Sequence, residues 1–256
     1  MYFQTNRNFE QQEALKQRED FRKRARVTYK FIQSNAASRR FSIQALARMP
    51  NILMGGLDQE IQAQLPPELA SQFRPLFKDI FWLGMKWREY ATLFGDESNF
   101  YLLHRTASYL FQIIDDIMWD DMILHLSRLV GSAKSMGKEN LTVRRIPELI
   151  QDAALKSEIQ ELVESCQAHC AFVAEHRNKR LAHYDLEIAI QNLEASLAGV
   201  SRMEMRRAVE SLQSIMQKIY AHYTDRHFDF DSSLRSDNAN SLIRALERAD
   251  RASNVC

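Results

Sequence analysis

Hydrophobic residues recur at intervals of three and four along most of this sequence, which is the spacing of one face of an α-helix. The stretch 77–94 has a wide aromatic face that we expect to lie in a core, formed by Phe77, Ile80, Phe81, Gly84, Trp87, Tyr90 and Phe94. The stretch 99–130 contains no Gly or Pro, and its apolar residues keep the helical period at Leu103, Ala107, Leu110, Ile114, Ile117, Ile123 or Leu124, and Leu126. These patterns predict two long helices, the second of them uninterrupted and ended by residues 131–138.

A third long helix is predicted from residue 154 to residue 181, because Leu162, Cys166, Cys170 and Val173 fall on one helical face. Shorter helices are predicted from capping residues and from prolines at first turns. They cover residues 57–65, a helix begun by Pro66-Pro67, Pro147–Asp152, residues 185–198 and 201–223, with Thr142 and Ser201 as caps, and an amphipathic segment around Leu242, Ile243 and Leu246.

Composition supports an all-α fold, since 256 residues include only 7 Gly and 5 Pro. We expect three parts: a charged N-terminal helix and linker at 1–56, a main helical domain at 57–225, and a polar tail with a short amphipathic helix at 226–256. The net charge is +1, although ten Lys or Arg against four Asp or Glu give residues 1–40 a charge of +6. That basic region is either a nucleic-acid-binding arm or a solvated helix.

No signal peptide precedes the first helix, and no apolar run approaches the roughly 20 residues that span a membrane. We therefore expect a cytoplasmic protein without membrane contact. Gly-rich phosphate loops, Gly-x-Ser-x-Gly elbows and His-Glu-x-x-His zinc helices are absent from the sequence.

Two groups of residues resemble metal ligands, and we prefer a structural explanation for both. The four carboxylates Asp115, Asp116, Asp120 and Asp121 are a metal site, a solvated face, or partners for basic side chains on neighbouring helices. The group Cys166, His169 and Cys170 has zinc-like spacing, but both cysteines fall on the apolar stripe and are expected in the core. We predict no metal and no cofactor.

The third helix ends in a cluster of cations and histidines, residues 175–185. Arg177 continues the buried stripe, which is costly unless the stripe opens there into a cleft or a subunit interface. His176, Arg180 and His183 share a face at i, i+4 and i+7 while the helix lasts. In the alternative interpretation the helix simply ends here, with cations near its C-terminal dipole and Asp185 capping the next helix.

Within this cluster, Arg177-Asn178 is followed by four residues and then His183, a pattern that resembles the HEPN superfamily. The resemblance is greatest to its AbiU-like branch, which is associated with abortive infection. It spans roughly residues 77–223 and is also carried by residues 87–94, 122–129 and 140–143.

The resemblance implies an antiparallel HEPN-like helical bundle, here with an N-terminal helical extension, and a homodimer that brings two motifs together. It also implies a metal-independent endoribonuclease acting in defence or as a toxin, with a protein antitoxin or regulator as a possible partner. His183 would be the general acid/base and Arg177 the phosphate clamp, supported by His176, Asn178, Arg180 and Tyr184. RNA would supply the nucleophile through its 2′-hydroxyl.

Two alternatives remain at this point: a non-catalytic HEPN-like module that binds RNA, a nucleotide or a protein, and a purely structural helical dimer. One departure is geometric, because six residues turn a helix by about 240°, so Arg177 and His183 need a helix break or two subunits to meet. Another concerns His183-Tyr184, which differs from the His-x-Tyr of the HEPN subgroup regulated by tyrosine modification.

Overall fold

The part of the chain that the structure describes, residues 56–176, 201–230 and 238–253 of a computed structural model, is built almost wholly of helices. The elements are α1 (residues 56–64), α2 (Pro67–Phe94), α3 (Glu97–Leu129), β1 (Lys134–Ser135), β2 (Lys138–Glu139), a 3-10 helix (Val143–Leu149), α4 (Ala153–His169), α5 (Ala171–His176), α6 (Arg202–Thr224) and α7 (Ala239–Ser253). The predicted all-α fold is confirmed. The N-terminal extension and the helix predicted at 185–198 lie outside the described residues.

The described residues form two compact units, one of residues 56–176, 201–230 and 238–240, and one of residues 241–253 of α7. Within the first unit, α2 is the central helix and packs against α3, α6 and the 3-10 helix, while α4 packs against α6. The predicted aromatic face of α2 is in the core, except that Trp87 is half-buried. Phe228 and Phe230, from the stretch predicted as a polar tail, stack around Phe77.

Helix α2 begins ten residues before the aromatic face that predicted it. Pro67 occupies its first turn, where a missing N–H costs nothing, and the helix continues through Pro75. An internal proline costs about 3 kcal/mol. Burial of Phe73, Leu76 and Phe77 offsets that cost, since each such side chain contributes about 1.5–3 kcal/mol when removed from water.

The prediction of an uninterrupted α3 is wrong, because the backbone leaves helical geometry at Ala107 (φ −158°, ψ 72°). Asp96 caps the start of the helix, with its side chain accepting from the backbone N–H groups of Ser98 and Asn99. Apolar residues near the two ends are buried, whereas Leu110, Ile117 and Leu124 are exposed. After the break, the apolar residues at helical spacing therefore include a face that is exposed to solvent.

The helix predicted over 154–181 is also interrupted, because it ends at His169 and a new short helix, α5, starts at Ala171. Cys170 between them has φ −98° and ψ 9°, outside helical geometry. Pro147 lies in a 3-10 helix rather than starting an α-helix to Asp152, and Asp152 instead caps α4 by accepting from Leu155 N at 2.7 Å.

The residues expected only to end α3 form a small antiparallel hairpin of β1 and β2. Met136 (φ 50°) and Gly137 (φ 78°) both adopt the left-handed conformation that a two-residue type I′ turn requires. Ser201 caps α6 as predicted, through a reciprocal capping box with Glu204.

Candidate functional site

Of the six predicted site residues, the structure describes His176 alone. Arg177, Asn178, Arg180, His183 and Tyr184 lie outside the described residues. His176 is the last residue of α5 and only 6% of its surface is exposed. Since α5 packs against α3, His176 belongs to the packed wall beside the motif, and a supporting role for it stays a prediction.

Helix α5, which leads into the predicted motif, lines a cleft of about 800 Å³. The other walls come from the last turn of α3, the β1–β2 hairpin, the start of the 3-10 helix and the end of α4. Val173 and Ala174 belong to this lining, and Arg177 follows Ala174 by three residues. Cys170 and Val173, two residues of the apolar stripe that predicted an opening near Arg177, therefore line a cleft close to the last described residues of α5.

A buried threonine joins two walls of this cleft. The Thr142 hydroxyl lies 2.7 Å from the Leu129 carbonyl oxygen and 3.0 Å from that of Gly131, and it accepts from Arg144 N at 3.4 Å. It thus satisfies carbonyls at the end of α3 and also caps the 3-10 helix, as a predicted cap should. The end of α3 and the start of the 3-10 helix are consequently held in one arrangement.

The hairpin is tied to the same wall through Asn140. Its side-chain amide donates to the Ser132 carbonyl at 2.9 Å, and its backbone N–H donates to the Ala133 carbonyl, also at 2.9 Å. Residues 132–140 therefore close on themselves as a compact loop whose polar groups border the cleft.

The break between α4 and α5 is built around two buried, reduced cysteines. Cys170 N donates to the Cys166 carbonyl at 3.0 Å, and Val173 N donates to the Cys170 carbonyl at 3.0 Å, so hydrogen bonding continues across the bend. The hydrogen bond with Cys166, together with burial, raises the pKa of the Cys170 thiol. These thiols are core groups, as predicted, and neither a nucleophile nor a thiolate ligand is provided here.

Two arginines in the cleft were not predicted as site residues. Arg128, in the last turn of α3, and Arg144, in the 3-10 helix, both line the cleft and are exposed. As far as the described chain goes, neither guanidinium makes a hydrogen bond or an ion pair, whereas the neighbouring Arg145 pairs with Glu139 at 2.7 Å. Asp79 is the carboxylate found among the described lining residues.

The sequence held one signal for these arginines. Arg128 lies in the stretch 122–129, and Arg144 directly follows 140–143, two stretches that also carried the HEPN resemblance. Their separation of sixteen residues gives no indication of proximity. The Thr142 hydrogen bonds and the hairpin closed by Asn140 bring the two stretches to one cleft.

His125 lies under this region and is buried between α2 and α3. Burial, together with the nearby Lys86 ammonium, lowers its pKa to about 4, and Lys86 Nζ is 3.5 Å from His125 Nδ1. The ring is therefore neutral near pH 7. His125 is therefore a structural residue of the α2–α3 packing.

The carboxylates of α3 are used by neighbouring basic and hydroxyl groups. Lys86 pairs with Asp121, and Tyr90 shares its hydroxyl with Asp115 and Arg202 in a shallow cavity of about 620 Å³. Burial and then the Asp115 hydrogen bond raise the pKa of Tyr90. Within the described ranges, no group of three or more His, Cys, Asp or Glu residues is arranged to hold a metal ion.

None of the described helices combines the length and apolar character needed to cross a bilayer. Comparison with curated proteins gave no match, and comparison with solved structures gave none either. A family comparison gave a long match: HEPN_AbiU2, described as AbiU2, aligns with residues 67–242, more than two thirds of the chain. This segment contains α2 to α6, the cleft and the Arg177–His183 motif, and the chain belongs to the AbiU2 family of HEPN domains.

Proposed function

We propose that this chain is a metal-independent endoribonuclease of abortive-infection defence, with His183 as general acid/base and Arg177 as phosphate clamp. The observation that supports it most is the path of the chain, which enters the motif from the wall of a cation-lined cleft. Arg177 is three residues from Ala174, so their Cα atoms are at most about 11 Å apart. An RNA strand in the cleft would therefore pass close to the motif.

The reaction requires only groups that the motif and the substrate supply. His183 removes the proton from a ribose 2′-hydroxyl, and the 2′-oxygen attacks the adjacent phosphorus. The bond to the 5′-oxygen breaks, and that oxygen takes up the proton that His183 removed. Arg177 stabilises the negative charge that grows on the phosphoryl oxygens. The products are a 2′,3′-cyclic phosphate and a 5′-hydroxyl end.

A homodimer is part of this proposal, and an exposed apolar face on α3 supports it. After the break at Ala107, four large apolar side chains lie on one side of the helix and are 54–89% exposed: Tyr109, Leu110, Ile113 and Ile117. Contiguous apolar patches of this kind mark interaction surfaces in soluble proteins. We refer to these four residues as the α3 stripe.

A second copy suits the α3 stripe because the stripe is complementary to itself. Antiparallel pairing about Ile113 places Tyr109 opposite Ile117 of the second copy, and the same pairing recurs on the other side of the axis. Pairing of two chains in this way would give an isologous dimer with two motifs.

One observation favours a second candidate, a module that binds RNA without cutting it. The described lining of the cleft contains arginine, hydroxyl and amide groups but no histidine. Such a lining can hold phosphates without providing a proton acceptor. In this candidate Arg177 and His183 would contribute to binding only.

The experiment that tests the proposal compares wild type with His183→Ala on mixed total RNA in EDTA, with fragment ends analysed chemically. His222→Ala is the matched control, because His222 is an exposed histidine on α6. We expect wild type and His222→Ala to release fragments ending in 2′,3′-cyclic phosphate, and His183→Ala to release none while keeping its thermal unfolding midpoint.

The other results separate the candidates. Cleavage by His183→Ala at the wild-type rate contradicts the assigned role. RNA binding without cleavage by any of the three proteins, in the presence of a cognate RNA, favours the binding module.

A further inference from the structure

We infer that the cleft between α3 and α5 is a nucleotide-binding subsite for single-stranded RNA, in which Arg128 and Arg144 hold phosphates next to the bond that is cut. We refer to it as the Arg128–Arg144 subsite. The inference rests on the proposed function for the identity of its ligand. It adds contacts outside the Arg177–His183 motif, on elements that the structure describes.

The first argument is that both arginines are mounted on fixed backbone. Arg128 precedes Leu129, whose carbonyl oxygen lies 2.7 Å from the Thr142 hydroxyl, and Arg144 N donates to that same hydroxyl. Thr142 is completely buried. The Cα positions of the two arginines are therefore held in a set relation, as recognition of successive groups on one ligand requires.

The second argument is electrostatic. Arg128 and Arg144 are exposed, and over the described ranges their guanidinium groups have no hydrogen-bond or ion-pair partner. Arg145, next in sequence, is instead neutralised by Glu139. An unengaged guanidinium presents a planar fork of donors that fits a phosphate in bidentate fashion. The single carboxylate of the described lining, Asp79, leaves the cleft with a net positive charge.

The third argument is size and chemical variety. A cleft of about 800 Å³ falls in the range of small-molecule sites and accommodates a nucleotide. Its lining combines apolar side chains such as Leu141 and Val173 with hydroxyl and amide groups such as Ser132 and Gln167. A nucleotide presents the same mixture, since it has an anionic phosphate, a hydroxylated sugar and a flat base with an apolar face.

The fourth argument selects an RNA strand over a free phosphate or an acidic peptide. The apolar lining residues, such as Leu141 and Val173, give a base a surface to contact, which an inorganic phosphate would leave empty. The α5 wall continues covalently into Arg177, so a strand bound in the subsite has its next phosphates near the motif. An acidic peptide would use the arginines, but it has neither a base for the apolar lining nor a 2′-hydroxyl for the motif.

The test measures RNA binding with cleavage removed. The full chain carrying His183→Ala is titrated into a fluorescent single-stranded oligoribonucleotide at several salt concentrations. Arg128→Gln plus Arg144→Gln is then added to that background. Arg206→Gln, which removes a charge from the exposed face of α6 and breaks its pair with Glu210, is the matched control.

We expect the double variant to bind at least tenfold more weakly, with Arg206→Gln unchanged within about twofold. The slope of log affinity against log salt should fall by about 1.4, because each phosphate contact to a single strand contributes about 0.7. Arg128→Lys plus Arg144→Lys should keep most of the salt slope but lose affinity, since lysine cannot form the bidentate contact. This second variant also serves if the Gln variant lowers the unfolding midpoint.

The inference would be overturned if both double variants bound RNA with the same affinity and the same salt slope as their His183→Ala parent. It would also be overturned if that parent did not bind RNA. If the double variants lost binding to a poly-glutamate peptide but kept RNA binding, the inference would be overturned in favour of a protein partner.

Cleavage of RNA by the wild-type protein tests the proposed function separately. If wild-type protein cuts RNA while the double variants bind normally, the subsite alone fails. If nothing cuts but the double variants lose binding, the subsite stands and the ribonuclease assignment fails.

Discussion

His125 illustrates how the packing of α2 against α3 changes the chemistry of one residue. Its ring is 2% exposed and faces Lys86 and Asp79 on α2 as well as Asp121 and Arg128 on α3. Burial lowers its pKa most, the cation of Lys86 lowers it further, and the carboxylates of Asp79 and Asp121 act in the opposite direction. A histidine in a helix close to several carboxylates could be a charged partner of them, but burial makes this one neutral.

The low pKa of His125 predicts a stability that depends on pH. The unfolded chain binds a proton at about pH 6.5 and the folded chain only at about 4, so folding loses stability as the pH falls through that window. From pH 7.5 to 5.5 the loss should be on the order of 1 kcal/mol. Urea unfolding of wild type and His125→Leu at both values measures it, because the variant should lose that much less. An identical pH dependence in both proteins would contradict the assignment.

At the residue scale, the sequence could predict groups that a local pattern identifies. Cys166 and Cys170 were expected in the core because they follow the helical stripe, and both are buried. Arg128 and Arg144 could not be predicted as site residues from the sequence. Exposed arginines are common, and whether one of them lines a binding site depends on residues from other elements. Whether Arg177 and His183 meet also depends on tertiary structure, and it stays a prediction.

At the element scale, helix starts were easier to predict than helix interruptions. Asp96 and Ser201 satisfy backbone N–H groups of their own helices, so their effect can be read locally. The breaks at Ala107 and Cys170 contain no Gly or Pro from which they could be predicted. At Cys170 the chain changes its packing partner, because α4 packs against α6 and α5 packs against α3, and a periodic pattern does not encode this change.

Thr142 connects two elements, and its replacement by valine should destabilise the protein. Thr142→Val keeps the shape of the side chain but removes the buried hydroxyl from the Leu129 and Gly131 carbonyls. We expect a loss of about 1–3 kcal/mol in the free energy of unfolding. Urea denaturation measures it.

Thr92→Val is the matched control for that experiment. The Thr92 hydroxyl donates only to the Arg88 carbonyl within its own helix. Its removal should therefore cost less, because that carbonyl keeps its place in the helical hydrogen-bond ladder. Equal losses for the two variants would show that Thr142 does not join the end of α3 to the 3-10 helix.

At the scale of the whole molecule, the exposed α3 stripe predicts self-association. Ile113→Glu should raise the dimer dissociation constant at least tenfold, because two carboxylates would meet at the proposed two-fold axis. Sedimentation velocity at several concentrations measures this change. Met136→Glu is the control, since Met136 is an almost fully exposed apolar residue at the hairpin tip, away from the stripe.

The result should also appear in activity, because the proposed dimer brings two motifs together. Ile113→Glu is expected to lower RNA cleavage in parallel with the loss of dimer. A wild-type chain that sediments as a monomer at micromolar concentrations, or an Ile113→Glu dimer as stable as wild type, would contradict the proposed interface.

The α3 stripe shows what a hydrophobic pattern does not determine at the scale of the whole molecule. The helical period of Leu110 and Ile117 was detected correctly, but period does not say whether an apolar face is covered by the same chain or by another. Helical periodicity and composition predict the all-α class, which the structure confirms, and the AbiU2 match covers the region of the family resemblance. The cleft is lined by α2, α3, the hairpin, the 3-10 helix, α4 and α5, and hydrogen bonds of Thr142 and Asn140 hold the end of α3, the hairpin and the 3-10 helix together.

The most direct measurement of the central claim uses one RNA oligonucleotide cut at a mapped position, and a copy with a single 2′-deoxyribose on the 5′ side of that bond. Both are incubated in EDTA with wild type and with His183→Ala under single-turnover conditions. We predict that only the wild type cuts, only at the all-ribose site, leaving a 2′,3′-cyclic phosphate. Cleavage of the deoxy copy at the mapped bond, or cleavage by His183→Ala at the wild-type rate, would contradict 2′-hydroxyl attack assisted by His183.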